Sequence, residues 1–90
     1  MSKMEAQSNY AVHPATAQRV KEIAAGIFQI DASSIDLAMG PDDIERWDSL
    51  NHLRLITETE SAFSVRLTMS QIQQIKSLAD LVRFVAEGSD

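Results

Sequence analysis

Apolar residues in the first third of the chain recur with the period of a helix. Between Ala15 and Ile30 they fall at i, i+3, i+4, i+7 and i+8, which places one apolar stripe on one face of an amphipathic helix. The stripe consists of Val20, Ile23, Ala24, Ile27 and Phe28. Pro14 precedes it and suits the first position of a helix. We therefore predict a first helix over about residues 15–30.

A second helix is predicted from Ser49 to Phe63. Its expected core face is Leu50, Leu53, Ile56 and Phe63, with Leu55 and Ala62 beside it, and its expected water-facing residues are Arg54, Glu58 and Glu60. Asp48 and Ser49 both suit its N-cap or first turn, because a side-chain oxygen there can accept a hydrogen bond from an unpaired N–H group.

Two shorter segments follow, each with a serine spaced as in a capping box. Ser70 and Gln73 predict a short third helix, and Ser77 and Asp80 predict the start of the last one. The apolar residues of the last helix are Leu78, Leu81, Val82 and Val85, and Gly88 suits its end. No alternation supports a strand, so the predicted fold is an all-α bundle of three main helices and one short helix.

The rest of the chain divides into a tail and a long loop. Residues 1–13 lack periodicity and are predicted to be a flexible N-terminal tail, with the folded domain over residues 14–88. Residues 31–48 form a long loop between the first two helices, which we expect to pack onto the bundle through its own apolar side chains. These are Ile35, Leu37, Met39, Ile44 and Trp47.

Composition narrows the function. With 13 acidic and 8 basic side chains the net charge is −5, which disfavours nucleic acid and anionic membranes and favours partners with basic patches. The chain has no cysteine, and His13 and His52 lie far apart in sequence, so no metal site is predicted. No apolar run suits a signal peptide or a membrane span, and we expect a cytoplasmic protein.

Ser49 allows three interpretations. It can belong to the cap of the second helix, in which its hydroxyl or the Asp48 carboxylate accepts a hydrogen bond from a first-turn N–H group, a contribution of about 1 kcal/mol. It can be a nucleophile with His52 as its base, although the glycine-flanked turn and oxyanion hole of a serine hydrolase are missing. It can also carry a group through a phosphate ester, since a helix N-terminus has unpaired N–H groups and a partial positive charge. An attached cofactor would also supply the thiol that a chain without cysteine lacks.

The order of these features resembles the acyl and peptidyl carrier proteins. The stretch "WDSLNHLRLITETESAF" is similar to their D-S-L motif and second helix, and "VRLTMSQIQQIKSLADLVRFV" is similar to the short third helix and final helix that follow. The resemblance covers roughly residues 15–87.

The resemblance implies a four-helix carrier bundle that catalyses nothing itself. Ser49 would receive 4'-phosphopantetheine from coenzyme A through a phosphopantetheinyl transferase, and Asp48 and Leu50 would help to present it. The thiol of the arm would carry acyl or aminoacyl groups as thioesters from a loading enzyme to downstream synthase or tailoring enzymes. By the same analogy, residues such as Leu53, Ile56 and Phe63 would line an acyl chain, unless they are ordinary core residues.

Departures from the family pattern lie around the motif and suggest altered partners. Arg46 and Trp47 replace the usual small pair, and Asn51 and Arg54 stand where many fatty-acid carriers have acids. We therefore assign partner recognition to Trp47, Asn51, Arg54 and Glu58. Trp47 is either a pin for the loop or an exposed platform.

We expect a monomeric carrier of a specialised pathway, handling a polyketide, a nonribosomal peptide or an unusual acyl chain. Housekeeping fatty-acid synthesis is the alternative pathway. An unmodified helical adaptor is the alternative of another class, for which substitution of Ser49 would affect only stability.

Overall fold

The structure, a computed structural model, describes residues 13–88. Within that range it contains four α-helices and a short 3₁₀ helix, and no strand. In chain order they are α1 (Pro14–Phe28), the 3₁₀ helix (Ala32–Ser34), α2 (Ser49–Phe63), α3 (Met69–Gln73) and α4 (Leu78–Gly88). The predicted all-α fold, with a long loop between its first two main helices, is confirmed. Residues 1–12, which hold nearly all of the predicted tail, lie outside the described residues, as do residues 89–90.

The core lies where α1 packs against α2 and α4. Helices α1 and α4 each bury one apolar stripe, as the periodicity of their sequences predicts. The buried residues are Ala17, Val20, Ala24, Ile27 and Phe28 of α1, and Leu78, Leu81, Val82, Phe84 and Val85 of α4. Ile23 is only half-buried against this core, and Phe84 is a core residue that the sequence pattern did not single out.

The core face of α2 differs from the predicted one. Leu55, Ile56 and Thr59 are its buried residues, whereas 68% of Leu50 and 56% of Leu53 are exposed to solvent. The assignment of those two leucines to the core was therefore wrong. The first half of α2 has apolar residues on more than one side, so periodicity alone allows two faces, and packing against α1 and α4 buries the face centred on Leu55.

The second half of α2 also differs in detail. Phe63 is half-buried against the core, while Ala62, expected beside the core, is exposed. Glu60 was expected to face water, but it is half-buried and its carboxylate accepts a hydrogen bond of 2.8 Å from the N–H of Leu67. Glu60 therefore secures the chain that leaves α2.

The long loop packs onto the bundle, as predicted. Four of the five apolar side chains predicted to anchor it are buried, and the fifth, Met39, is half-buried. The buried four are Ile35, Leu37, Ile44 and Trp47. The backbone of the loop also meets the first turn of α4. The N–H groups of Leu78 and Ala79 donate to the carbonyl oxygens of Met39 (3.1 Å) and Leu37 (2.9 Å). Two of the N–H groups that a helix start leaves without helical partners are thereby satisfied by the loop.

The two predicted capping boxes are replaced by other contacts. At α3 the box is formed by Thr68 and Gln71, two residues before the expected Ser70 and Gln73. The N–H of Gln71 donates to Thr68 Oγ1 at 3.0 Å, and the N–H of Thr68 donates to Gln71 Oε1 at 2.9 Å. Both pairs have the required spacing, and Thr68 has the extended backbone that an N-cap needs.

At α4 the carboxylate of Asp80 accepts from the N–H of Lys76 at 2.8 Å, not from Ser77 as a capping box requires. The loop carbonyls supply the main cap of this helix.

Candidate functional site

Asp48 is the N-cap of α2. Its backbone is extended (φ −100°, ψ −175°), and its Oδ1 accepts a hydrogen bond of 2.9 Å from the N–H of Asn51. Its carbonyl oxygen accepts from the N–H of His52 at 2.8 Å. Ser49 is therefore the first helical residue. The predicted placement of Asp48 and Ser49 at the N-cap and first turn is confirmed, and of the two alternatives for the cap it is the Asp48 carboxylate, not the Ser49 hydroxyl.

The surroundings of Ser49 suit a phosphodiester. Ser49 is exposed. Among the described residues, the N–H groups of Ser49 and Leu50 donate to no oxygen, so they point unpaired from the start of the 15-residue α2. An anion beside the Ser49 hydroxyl would meet these donors together with the positive end of the helix dipole.

Two polar contacts fix the end of the long loop, one to the start of α2 and the other to Gln29, the residue after α1. Asn51 Nδ2 donates to the carbonyl oxygen of Arg46 at 2.8 Å, and the guanidinium of Arg46 donates to Gln29 Oε1. Asn51, assigned to partner recognition from the sequence, is half-buried and uses both its backbone and its side chain within the protein. These contacts hold Ser49 at a fixed position over the end of the bundle.

Trp47 is a structural pin and not an exposed platform. Only 5% of it is exposed, and its indole stacks on Phe28 with ring centroids 5.2 Å apart. Its Nε1–H donates to His52 Nδ1 at 2.9 Å. Because an indole N–H can only donate, His52 Nδ1 must be unprotonated, and we assign the imidazole hydrogen to Nε2, 3.4 Å from the carbonyl oxygen of Ile72. The role of Trp47 in partner recognition stays a prediction.

The same contacts bear on the hydrolase interpretation. His52 makes its hydrogen bonds to Trp47 and to Ile72 of α3, not to Ser49. A serine nucleophile needs a base within hydrogen-bond reach. The imidazole instead joins the loop, α2 and α3.

An open groove of about 610 Å³ lies beside Ser49, between α2, α3 and the long loop. Ser49 and Asp48 are at its lining, and most of the remaining wall is apolar. The wall includes Pro41, Trp47, His52, Leu53, Met69 and Ile72. Pro41, Met69 and Ile72 were not singled out from the sequence, because they come from separate segments that only the fold brings next to α2.

Leu50, Arg54 and Glu58, the remaining predicted site residues, are exposed along α2 beyond Ser49. In residues 13–88 no group of three or more histidine or acidic side chains could hold a metal ion. No helix in that range is long and apolar enough to cross a membrane.

Comparison with known proteins decides the family. The sequence profile described as "phosphopantetheine attachment site" matches residues 18–85. The chain belongs to this family. It is also similar to the acyl carrier proteins of Onion yellows phytoplasma (26% identical over 72 residues) and Aster yellows witches'-broom phytoplasma (25% over 72 residues). Each match covers 80% of this chain and 95% of the relative.

A solved structure supports the same conclusion. The solution structure of a holo acyl carrier protein from Geobacter metallireducens superposes with a TM-score of 0.73 at 26% identity, covering 81% of this chain and 84% of that one. The chain is accordingly a carrier protein with covalently attached 4'-phosphopantetheine, and it serves partner enzymes without being an enzyme itself. Family membership decides against both the unmodified adaptor and the serine hydrolase.

Proposed function

We propose that Ser49 is the residue that carries the phosphopantetheine arm. The proposal rests on the different positions of Asp48 and Ser49 at the start of α2. The carboxylate of Asp48 caps the helix, whereas the Ser49 hydroxyl is exposed beside unpaired N–H groups. Modification of Ser49 therefore removes no cap from the fold. The D-S-L sequence at residues 48–50 agrees with the motif of the carrier proteins that the chain resembles.

The transfer of phosphopantetheine requires only an accessible hydroxyl group from the carrier. The Ser49 oxygen forms a bond to phosphorus of coenzyme A, the bond to adenosine bisphosphate breaks, and the hydroxyl proton passes to a base of the transferase. The unpaired N–H groups of Ser49 and Leu50 would be available as hydrogen-bond donors to the new phosphodiester. The attached arm supplies a thiol, which holds acyl or aminoacyl groups as thioesters.

We further propose that the carrier serves a specialised pathway. In support, Asn51 and Arg54 stand on α2 where many fatty-acid carriers have acids, Asn51 is used to fix the loop, and Arg54 adds a positive charge to the helix that begins at Ser49. A surface of this kind fits different partners from those that recognise an acidic helix. Similarity to relatives named acyl carrier protein favours an acyl cargo over an aminoacyl cargo. Housekeeping fatty-acid synthesis is the alternative to a specialised pathway.

Intact-mass measurement tests the attachment site. The apo chain is incubated with coenzyme A, magnesium and a promiscuous phosphopantetheinyl transferase, and we expect the mass of one phosphopantetheine to be added. Ser49→Ala should abolish the addition, whereas Ser61→Ala, which changes another exposed serine of α2, should retain it. Addition to the Ser49→Ala chain, or no addition to wild type with several transferases, would contradict the proposal.

Depletion in the native host tests the pathway. A specialised carrier should be dispensable for growth and for membrane fatty acids, and its loss should remove a secondary product. Loss of growth that is restored by added fatty acids would favour the housekeeping alternative. Expression of the Ser49→Ala chain provides the matched control, because it separates the carrier role from any role of the folded protein.

A further inference from the structure

One histidine connects the three segments that surround the groove beside Ser49. His52 lies in the first turn of α2, its Nδ1 accepts the Nε1–H of Trp47 at 2.9 Å, and its Nε2 lies 3.4 Å from the carbonyl oxygen of Ile72 in α3. We call these three residues the histidine bridge. Helix α3 has five residues and buries none of them completely. Its attachment to the bundle therefore depends on partial contacts such as this one.

The histidine bridge requires a neutral imidazole. An indole N–H can only donate, so the nitrogen that faces it must have a free lone pair, whereas both nitrogens of an imidazolium carry hydrogens. A flip of the charged ring would bring another donor to the same place, and the conflict ends only when the two rings separate. Trp47 is 5% exposed and stacks on Phe28, while His52 is only half-buried, so His52 is the ring that can move. Its departure also breaks the contact with Ile72.

The surroundings of His52 admit a proton and offer the charged ring a place outside the bridge. Histidine is the side chain that ordinarily changes its charge between about pH 5 and pH 8. Among the groove-lining residues, those from the loop before residue 48 and from α3 are uncharged, while the exposed Asp48, one turn before His52, contributes a carboxylate. The charged neighbours of Trp47 in the loop, Glu45 and Arg46, line a separate depression. A protonated ring thus has water and one carboxylate at the groove to turn to.

We infer that His52 is a proton-sensitive clamp on the groove beside Ser49. The neutral imidazole holds α3 against α2 and the long loop, and the imidazolium releases α3 and widens the groove. Because Ser49 is part of the groove lining, the charge on His52 changes the surface next to the proposed attachment site. The inference goes beyond the proposed function, since the clamp belongs to the unmodified fold and needs no arm on Ser49.

NMR spectroscopy of the unmodified chain between pH 8 and pH 5 tests the clamp. Chemical shifts of the His52 ring report its protonation. Hydrogen exchange, corrected for the intrinsic effect of pH on exchange, reports the protection of the Ile72 amide and of the indole N–H of Trp47, which is the one tryptophan of the chain. As His52 becomes protonated, we expect both protection factors to fall about fivefold, the effect of losing one hydrogen bond.

His52→Asn separates the clamp from every other effect of pH. Its side-chain oxygen can accept from the indole N–H but takes up no proton, so the protection factors should be equal at pH 8 and pH 5. Trp47→Phe, which removes the donor, should likewise abolish the pH dependence of the Ile72 amide. His13→Gln removes the other histidine and should keep the pH dependence of wild type.

Three results would overturn the inference. They are a protonated His52 with an indole N–H that stays protected, a His52 that is still neutral at pH 5, and a pH dependence that persists in His52→Asn. Ser49→Ala should behave as wild type in this experiment, so failure of the clamp and failure of the attachment site are separate results.

Discussion

At Gly40 the long loop passes close to the backbone of Lys76, and we predict that Gly40→Ala is strongly destabilising. A Cβ atom at residue 40 would lie 2.2 Å from the carbonyl oxygen of Lys76. Ordinary contact distances are about 3.5 Å, so the loop would have to withdraw by about 1.3 Å. Because the obstacle is backbone, no side-chain rotation can relieve the clash.

The magnitude follows from what the withdrawal breaks. Overpacking a tight contact costs about 1–3 kcal/mol. The carbonyl groups of Met39 and Leu37, next to Gly40 in the loop, would also move away from the N–H groups of Leu78 and Ala79 that they cap. Each lost hydrogen bond costs about 1 kcal/mol. A loss of about 3–4 kcal/mol is a large part of the roughly 9 kcal/mol expected for a 90-residue domain.

Thermal and urea denaturation followed by circular dichroism measure this loss. We expect the Tm of Gly40→Ala to fall by about 12–32 °C. Gly26→Ala is the matched control: Gly26 lies inside α1 with nothing within 4 Å of its added Cβ, so the same substitution should stabilise by about 0.5–1 kcal/mol. A Gly40→Ala protein as stable as wild type would refute the assignment of the loop as the cap of α4.

Four further substitutions test the interior and the start of α2. Thr59 is fully buried and its Oγ1 has no hydrogen-bond partner among the described residues. Thr59→Val should therefore raise the free energy of unfolding, measured by urea denaturation, by about 1 kcal/mol. A lower free energy of unfolding would mean that the hydroxyl has a hydrogen-bond partner. Asp48→Ala should cost about 1 kcal/mol as a lost cap, while Ser49→Ala should leave the Tm nearly unchanged, and equal losses would contradict the assignment of Asp48 as N-cap. Trp47→Phe keeps an aromatic ring but removes the N–H that His52 accepts, so thermal denaturation should show a loss of about 1 kcal/mol, and an unchanged Tm would mean that this hydrogen bond contributes nothing.

The local features of this structure could be predicted from the sequence. The helical period predicted the bounds of α2 at Ser49 and Phe63, and the stripes of α1 and α4, because these depend on residues that are close along the chain. The C-terminal end of α1 was predicted less accurately, at about residue 30. The helix ends at Phe28, where Gln29 takes the left-handed conformation (φ 60°) that a glycine usually marks.

What the sequence could not predict depends on contacts between distant segments. The orientation of α2 about its own axis, which exposes Leu50 and Leu53, is decided by packing against α1 and α4. The need for glycine at position 40 arises from the backbone of Lys76, 36 residues later in the chain (76 − 40). The groove beside Ser49 likewise forms from segments that are separate in sequence.

The start of α2 shows how stability and function are kept apart in this carrier. A serine that capped its own helix would lose that role, wholly or in part, when its oxygen became a phosphate ester. Here the capping oxygen belongs to Asp48, and the loop is fixed by Asn51 and the buried Trp47. Ser49 contributes only an exposed hydroxyl. The attachment that we propose at Ser49, and the exchange of cargo on the arm, would therefore leave the cap of the helix intact. The comparison of Asp48→Ala with Ser49→Ala examines this separation directly, because the first should affect stability and the second only the attachment of the arm.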